Sequence, residues 1–200
     1  MILLSSNAQQ IFWLGRYLTR VQYLCSQFPF QNDVTAQQYA HAFALGTHNA
    51  ASLNALVQDH SHFASFYQQF KHAKDNIQDL RGVLLAKSYA ELNQLIKQAS
   101  EREVEICNVV AECNDILEAE SQDIFLFFML GQYVEQLDRQ LRFQEDAEQT
   151  LDALDQVVDL LSHMGWSGLK NAWQPLQVLP NSINFYQFSD HIQHLFEVDV

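Results

Sequence analysis

The sequence predicts an all-α fold: a single helical bundle with two pseudo-equivalent central helices and an irregular cover at its C-terminal end. The chain of 200 residues contains only three prolines and six glycines, so long helices can run without a break. Apolar residues in the predicted helices recur three and four positions apart, as on a buried helix face. No convincing strand pattern occurs before the C-terminus. This length is typical of one domain, and we expect residues 1–161 to form the bundle and residues 162–200 the cover.

The first helix is predicted to begin at Ser5 or Ser6, either of which can cap it, and to reach about Gln27, ahead of Pro29. Its apolar stripe consists of Ile11, Leu14, Leu18, Val21, Cys25 and Phe28. Aromatic residues fill much of the remaining circumference, so this helix should lie near the centre of the bundle.

A second segment repeats the first one 116 positions later. Residues 127–136 align with residues 11–20, with Leu-Gly-x-Tyr unchanged and apolar residues in step on both sides. The glycines and tyrosines of the two copies are Gly15 and Gly131, and Tyr17 and Tyr133. A duplicated segment indicates two helices with equivalent roles, and we expect them to pack together about an approximate two-fold axis.

The other helices follow from caps and periodicity. They are predicted at 35–45, at 48–58, from a cap at Ser61 to Leu85, at 89–99, from a cap at Ser100 with Glu103 completing a capping box, at about 121–148, and at 151–161 after Thr150. After Ser162 the remaining tryptophans and two of the three prolines occur. This composition predicts the irregular cover, followed by a short helix around 189–196.

Charge and composition exclude several classes of function. The net charge is -13, with 11 basic and 24 acidic residues, which disfavours nucleic acid and an anionic membrane surface as partners. The longest apolar run is too short to span a membrane, and the N-terminus lacks the features of a signal peptide. We therefore expect a cytoplasmic protein.

The thiols and imidazoles give no catalytic or metal site. We expect Cys25, Cys107 and Cys113 to be reduced and buried, because no CxxC is present and their number is odd. His191 and His194 stand three apart but have no further ligands in sequence, so we expect no metal and no cofactor.

The polar residues of the repeat are the candidate site. Arg16 and Arg20 lie one turn apart on one face of the first copy, whereas Glu135 of the second copy stands where the first has Thr19. Glutamines replace both arginines in the second copy, at Gln132 and Gln136. If the copies face each other, Glu135 could pair with Arg16 or Arg20. This pattern fits either a buried ion pair that sets helix register or an anion site that grips a carboxylate or phosphate.

These residues resemble a family. Asn7-Ala8, residues 12–18 and Arg20 resemble the opening of the alpha-E domain, a bacterial family of unknown function with Glu-Arg pairs. Its further matches are residues 73–81, with Asn76 and Arg81, then Leu92 and Asn93, and residues 130–138. The naming pairs are incomplete, because Thr19 replaces the glutamate of the first and Gln136 the arginine of the second. Gln132, Lys74 and Gln78 also replace arginines.

The resemblance implies an all-helical fold and association with ATP-grasp ligases, transglutaminase-like proteins and sometimes a proteasome-like peptidase. Our leading hypothesis is a non-catalytic accessory protein beside an ATP-grasp amide ligase or related peptide-modifying protein. The alternative is an enzyme acting on a peptide or amino-acid-derived substrate, with Arg16 and Arg20 as anion clamp and Glu135 as acid/base. A third possibility is a structural module that forms a homo-oligomer.

Overall fold

A computed structural model describes residues 3–99 and 102–197. This part of the chain contains ten α-helices and no strand, which confirms the all-α prediction. The helices are α1 (Ser5–Gln27), α2 (Asp33–Ala42), α3 (Ala50–Gln58), α4 (Phe66–Asp79), α5 (Ala86–Gln98), α6 (Glu103–Glu118), α7 (Gln122–Phe143), α8 (Glu148–His163), α9 (Gly168–Val178) and α10 (Ser182–Glu197). A 3-10 turn at Leu80–Gly82 follows α4. Among the described helices, none has the length and apolarity that a bilayer crossing requires.

The two repeat helices, α1 and α7, pack directly against each other at the centre of the bundle. Their backbones approach so closely at Gly15 and Gly131 that a Cβ at either position would overlap the other helix. The overlap is reciprocal: a Cβ on Gly15 would strike the carbonyl oxygen of Phe128, and one on Gly131 that of Phe12. Since Phe12 and Phe128 stand three residues before the two glycines, the contact has the two-fold relation that the repeat predicts.

Burial explains why α1 is apolar around most of its circumference. It packs against α4, α6 and α10 as well as α7. Ile11, Phe12, Leu14 and Leu18 are each fully buried. A helix enclosed on several sides needs apolar residues beyond a single stripe, so the predicted central position is confirmed.

Several helix starts differ from the predicted ones. Leu4, not a serine, is the cap of α1, and it makes no side-chain capping hydrogen bond. The helix predicted from Ser61 starts at Phe66, because Ser61 is held in a turn by Asp59 and Ser65 caps the helix instead, accepting from the Gln68 N–H. The proposed cap at Ser100 lies outside the described residues.

The irregular C-terminal cover is not observed, because α9 and α10 occupy most of that region. Leu169, Trp173 and Leu176 recur at helical spacing on α9 and are buried, and the Trp173 indole N–H donates to Asp155 of α8 at 2.8 Å. The glycines and prolines suggested irregular chain, yet α9 contains Pro175 within it. Burial of this apolar face outweighs the local helix-breaking preference.

The prediction of three reduced cysteines is wrong for two of them. Cys25 of α1 and Cys107 of α6 form a disulfide, with their Cα atoms 5.7 Å apart. Sequence spacing could not show this pairing, because 82 residues separate the two positions and only the packing of α1 on α6 brings them together. Cys113 is a free, buried thiol as expected, and burial raises its pKa to about 12.

We predict that Gly131→Ala destabilises the protein by more than about 1–3 kcal/mol, the usual cost of overpacking a core, since the added methyl group meets backbone that cannot rotate away. The measurement is urea unfolding. Gly82→Ala is the matched control, because nothing lies within 4 Å of its added Cβ, and we expect a change within about 0.5 kcal/mol. Equal effects of the two changes would contradict the close helix contact.

We predict that thiol alkylation labels no cysteine in the native protein and one in the unfolded, unreduced protein. Reduction should expose all three and lower the free energy of unfolding by about 4–5 kcal/mol, because the bond closes a loop of 82 residues. Mass spectrometry counts the labels. Three labels on unreduced, unfolded protein would show that the Cys25–Cys107 bond is absent.

Candidate functional site

The three candidate residues meet in one ion cluster between α1 and α7. Arg20 holds Glu135 with two hydrogen bonds, from Nε to Oε1 at 2.5 Å and from Nη2 to Oε2 at 2.8 Å. Arg16 Nε donates to the same Oε2 at 2.9 Å. Two parallel bonds from one guanidinium fix a carboxylate in direction as well as position. The cluster is therefore composite, with its arginines from the first copy and its carboxylate from the second.

Burial and neighbouring charges shift the pKa values in this cluster in opposite directions. Only 5% of Glu135 is exposed. Burial by itself would raise the pKa of Glu135, but Arg20 and Arg16 together lower it to about 2. Burial likewise opposes the charge of Arg20, yet Glu135 raises the pKa of Arg20 above its ordinary value. Glu135 and Arg20 therefore both stay charged near neutral pH, and a carboxyl group with this pKa is poorly suited to proton transfer there.

Asp138 and Arg142 extend the cluster along α7. Arg142 Nε donates to Asp138 Oδ1 at 2.9 Å, and Arg16 Nη2 lies 3.9 Å from Asp138 Oδ2. Neither residue is among the predicted site residues. The sequence does contain a pattern that points to them, because Glu135, Asp138 and Arg142 follow one another at spacings of three and four, on one face of a helix.

Aromatic rings and one amide complete the surroundings of the arginines. The Arg16 guanidinium lies 5.0 Å from the ring centroid of Trp13, and that of Arg20 lies 5.8 Å from Tyr17. Arg20 Nη1 also donates to Gln69 Oε1 of α4 at 3.3 Å. Cation–π contacts of this kind add favourable energy to partly desolvated guanidinium groups. Tyr17 thus belongs to the site through its ring, and burial raises the pKa of its hydroxyl.

In the part of the chain that the structure describes, two cavities reach the cluster, and both are lined by Arg20, Glu135 and Phe43. The first, which we call the Arg142 cavity, has a volume of about 200 Å³ and is also lined by Asp138 and Arg142. The second, which we call the Arg139 cavity, has a volume of about 220 Å³ and is also lined by Arg139. Glu135 is therefore buried, but the cluster can be reached by small molecules from two directions.

The two cavities are related by the repeat. Each charged residue that α1 or α7 contributes to the Arg142 cavity has a neutral counterpart 116 positions away in the sequence. These counterparts line the Arg139 cavity. Arg20 corresponds to Gln136, Glu135 to Thr19, Asp138 to Gln22 and Arg142 to Ser26. Each cavity is thus one half of the two-fold arrangement, and only one half carries this set of charges.

An amide chain stands where the other half has its ion pair. Gln22 Oε1 accepts from Asn114 Nδ2 at 3.0 Å, and Asn114 Oδ1 accepts from Gln132 Nε2 at a longer 3.5 Å. Gln22 and Gln132 are the repeat counterparts of Asp138 and Arg16. Neutral amides joined through α6 therefore take the place of the Asp138–Arg16 contact.

Of the other predicted motif residues, Asn76 and Asn93 bond backbone carbonyls. Asn76 of α4 donates to the backbone carbonyl of Gln10 at 3.1 Å, which joins α4 to α1, and Asn93 donates to the carbonyl of Tyr89 within α5. Arg81 is exposed in the 3-10 turn, and Tyr133 is half-buried, with burial raising its pKa. None of these four lines either cavity. Within the described residues, no group of three or more His, Cys, Asp or Glu side chains is placed to hold a metal.

The comparisons with known proteins identify the family. One family model, described as a predicted alpha-helical domain with a conserved ER motif, matches residues 3–173. The chain belongs to the Alpha-E family. No curated protein and no solved structure matches it. In this Alpha-E protein neither copy retains a complete Glu-Arg pair, but Glu135 of the second copy bonds Arg20 of the first across the helix interface.

We predict that Glu135→Gln lowers the free energy of unfolding at pH 7 by about 3–5 kcal/mol, the usual cost of leaving a buried charge unpaired. The folded-state pKa is about 2 and the ordinary value is 4.5, so this contribution is full above about pH 4.5 and is lost as pH falls towards 2. The difference between wild type and variant should therefore shrink in acid.

Urea unfolding between pH 7 and pH 3 measures this difference. Glu118→Gln, at an exposed position of α6, is the control and should change stability by less than about 0.5 kcal/mol. A Glu135→Gln effect that stays constant with pH would contradict the ion cluster.

Proposed function

We propose that this Alpha-E protein is a non-catalytic accessory subunit that works beside an ATP-grasp amide ligase or a related peptide-modifying protein, such as a transglutaminase-like protein. The observation that supports this proposal is the state of Glu135, which is buried between two arginines with a pKa of about 2. A carboxylate this acidic neither takes nor gives a proton efficiently near neutral pH. The cluster is suited to holding a fixed charge pattern.

The thiols add support. Cys25 and Cys107 are joined in a disulfide, and burial raises the pKa of Cys113 to about 12. A nucleophilic cysteine needs a lowered pKa and access to substrate. In this proposal the bond-making chemistry belongs to the partner, and this chain contributes a binding surface.

A second candidate function is an enzyme that acts on a peptide or amino-acid-derived substrate through Arg16, Arg20 and Glu135. The two cavities that reach Arg20 and Glu135 favour it, because a substrate could contact the cluster directly. The low pKa of Glu135 opposes the acid/base part of this mechanism. The arginines as an anion clamp are compatible with both candidates.

We also propose that the protein works in the cytoplasm, where an ATP-dependent ligase finds its nucleotide. The Cys25–Cys107 disulfide opposes this location, since such bonds are rare in reducing compartments. Alkylation of free thiols in intact cells, before lysis, tests this location. Reduced Cys25 and Cys107 in the cell would support the cytoplasm, and a persistent disulfide would contradict it.

A reconstitution tests the accessory role. The purified chain is incubated with a mixture of short peptides, with and without ATP, and with and without the ATP-grasp or transglutaminase-like protein encoded nearest to it. We expect new products by mass spectrometry only when the partner is present, and a higher yield when this chain is added. Turnover by this chain alone, lost in Glu135→Gln, would overturn the proposal in favour of the enzyme. The solution mass of the same sample shows whether the chain forms a homo-oligomer.

A further inference from the structure

We propose that the Arg142 cavity binds the C-terminal carboxylate of a peptide, or of an N-acylated amino acid, whose last side chain is apolar. The site lies between α1, α2, α4 and α7, on the charged side of the two-fold arrangement. Binding of this kind needs neither catalysis nor a partner protein, so it stands separately from the accessory role.

The charge of the cluster calls for one more anion. Arg16, Arg20 and Arg142 contribute three positive charges, and Glu135 and Asp138 contribute two negative ones. The remainder is one uncompensated positive charge in a chain whose net charge is -13. The side chains of Arg20 and Arg142 are 30% and 31% exposed, so this surplus charge is only partly solvated and attracts an anion. One carboxylate ligand would balance the cluster.

The arginines retain donors for that carboxylate. A guanidinium has five N–H donors. Arg142 uses three of them, on Asp138 at 2.9 Å, the Ala42 carbonyl at 2.9 Å and the Tyr186 hydroxyl at 3.1 Å. Arg20 also uses three, two on Glu135 and one in the long 3.3 Å bond to Gln69. Among the described residues, two N–H groups of each arginine remain for a ligand, and both side chains line the cavity.

The cavity offers no counter-ion for an ammonium group. Both oxygens of Glu135 accept from arginines, and Asp138 bonds Arg142 and faces Arg16. A free amino acid would place its ammonium beside a cluster that is already positive. A peptide C-terminus replaces that ammonium with a neutral amide, so the charges favour the peptide source.

The remaining wall of the cavity favours an apolar side chain in the last residue of the ligand. It consists mainly of Leu24, Tyr39, Phe43, Leu45 and Phe63. The volume of about 200 Å³ exceeds the roughly 150 Å³ of an apolar cavity that binds benzene, so it accommodates one apolar side chain. The rest of the peptide would extend through the mouth of the cavity, where the Phe63 ring is largely exposed.

Isothermal titration of the full chain with N-acetylphenylalanine tests this site. Arg142→Gln should weaken binding by about tenfold to a hundredfold, the usual loss for a charged hydrogen bond. Arg139→Gln is the matched control: Arg139 lies one turn away on α7, bonds Glu145 at 2.7 Å and packs 4.5 Å from the Tyr23 ring, but lines the other cavity. It removes the same charge from the protein and should change the Kd by less than about twofold.

Two further measurements separate the possible outcomes. Ala64→Leu narrows the Arg142 cavity while keeping every charge, so it should also weaken binding, and it carries the test if Arg142→Gln does not fold. N-acetylphenylalaninamide, which lacks the carboxylate, should not bind.

No binding of N-acetylphenylalanine at millimolar concentration, equal losses in the two arginine variants, or equal binding of the amide would each overturn the site. Binding of phenylalanine as tight as that of its N-acetyl form would overturn the peptide source. Failure of this binding test would not affect the proposed accessory role, which the products of the reconstitution with a partner protein test separately.

Discussion

The close approach of α1 and α7 at Gly15 and Gly131 is the constraint on which the rest of this structure depends. Each glycine lies against the backbone of the opposite helix, where no Cβ could fit. At that separation, Arg16, which follows Gly15 directly, and Arg20, about one turn further along, both reach across the interface and bond Glu135 of the other helix. The same packing leaves cavities of about 200 and 220 Å³ beside the cluster. The repeated Leu-Gly-x-Tyr segment thus sets the spacing, and the residues around it set the charge.

The two halves of the repeat have diverged into complementary parts. One side of the axis holds an ion cluster, and the other holds the amides Gln22 and Gln132, joined through Asn114. A complete Glu-Arg pair within each copy would make both sides charged. Here one carboxylate from the second copy bonds two arginines of the first, and the Arg142 cavity has Asp138 and Arg142 where the Arg139 cavity has Gln22 and Ser26. This asymmetry allows Arg139 and Arg142, which lie one turn apart on α7, to line different cavities.

Much of this arrangement could be predicted from the sequence, because it depends on local repetition. The duplicated segment predicted two central helices, and the exchange of Glu135 for Thr19 suggested where a carboxylate could meet Arg16 and Arg20. Features that depend on long-range packing were missed. The Cys25–Cys107 bond needs α6 beside α1, and α9 forms because its apolar face is buried although Pro175 disfavours a helix. The cavities also have no local signal, since their walls come from several helices and loops.

A double-mutant cycle between Arg20 and Glu135 tests most directly the claim that two incomplete copies build one site. The informative replacements are the residues at the equivalent positions of the other copy, Arg20→Gln and Glu135→Thr, singly and together, with the free energy of unfolding measured in urea. The 2.5 and 2.8 Å bonds between these buried side chains predict a coupling energy of about 1–3 kcal/mol, so that the double variant loses less than the sum of the single losses. Losses that add to within about 0.5 kcal/mol would show that the residues act independently, and would contradict a composite site.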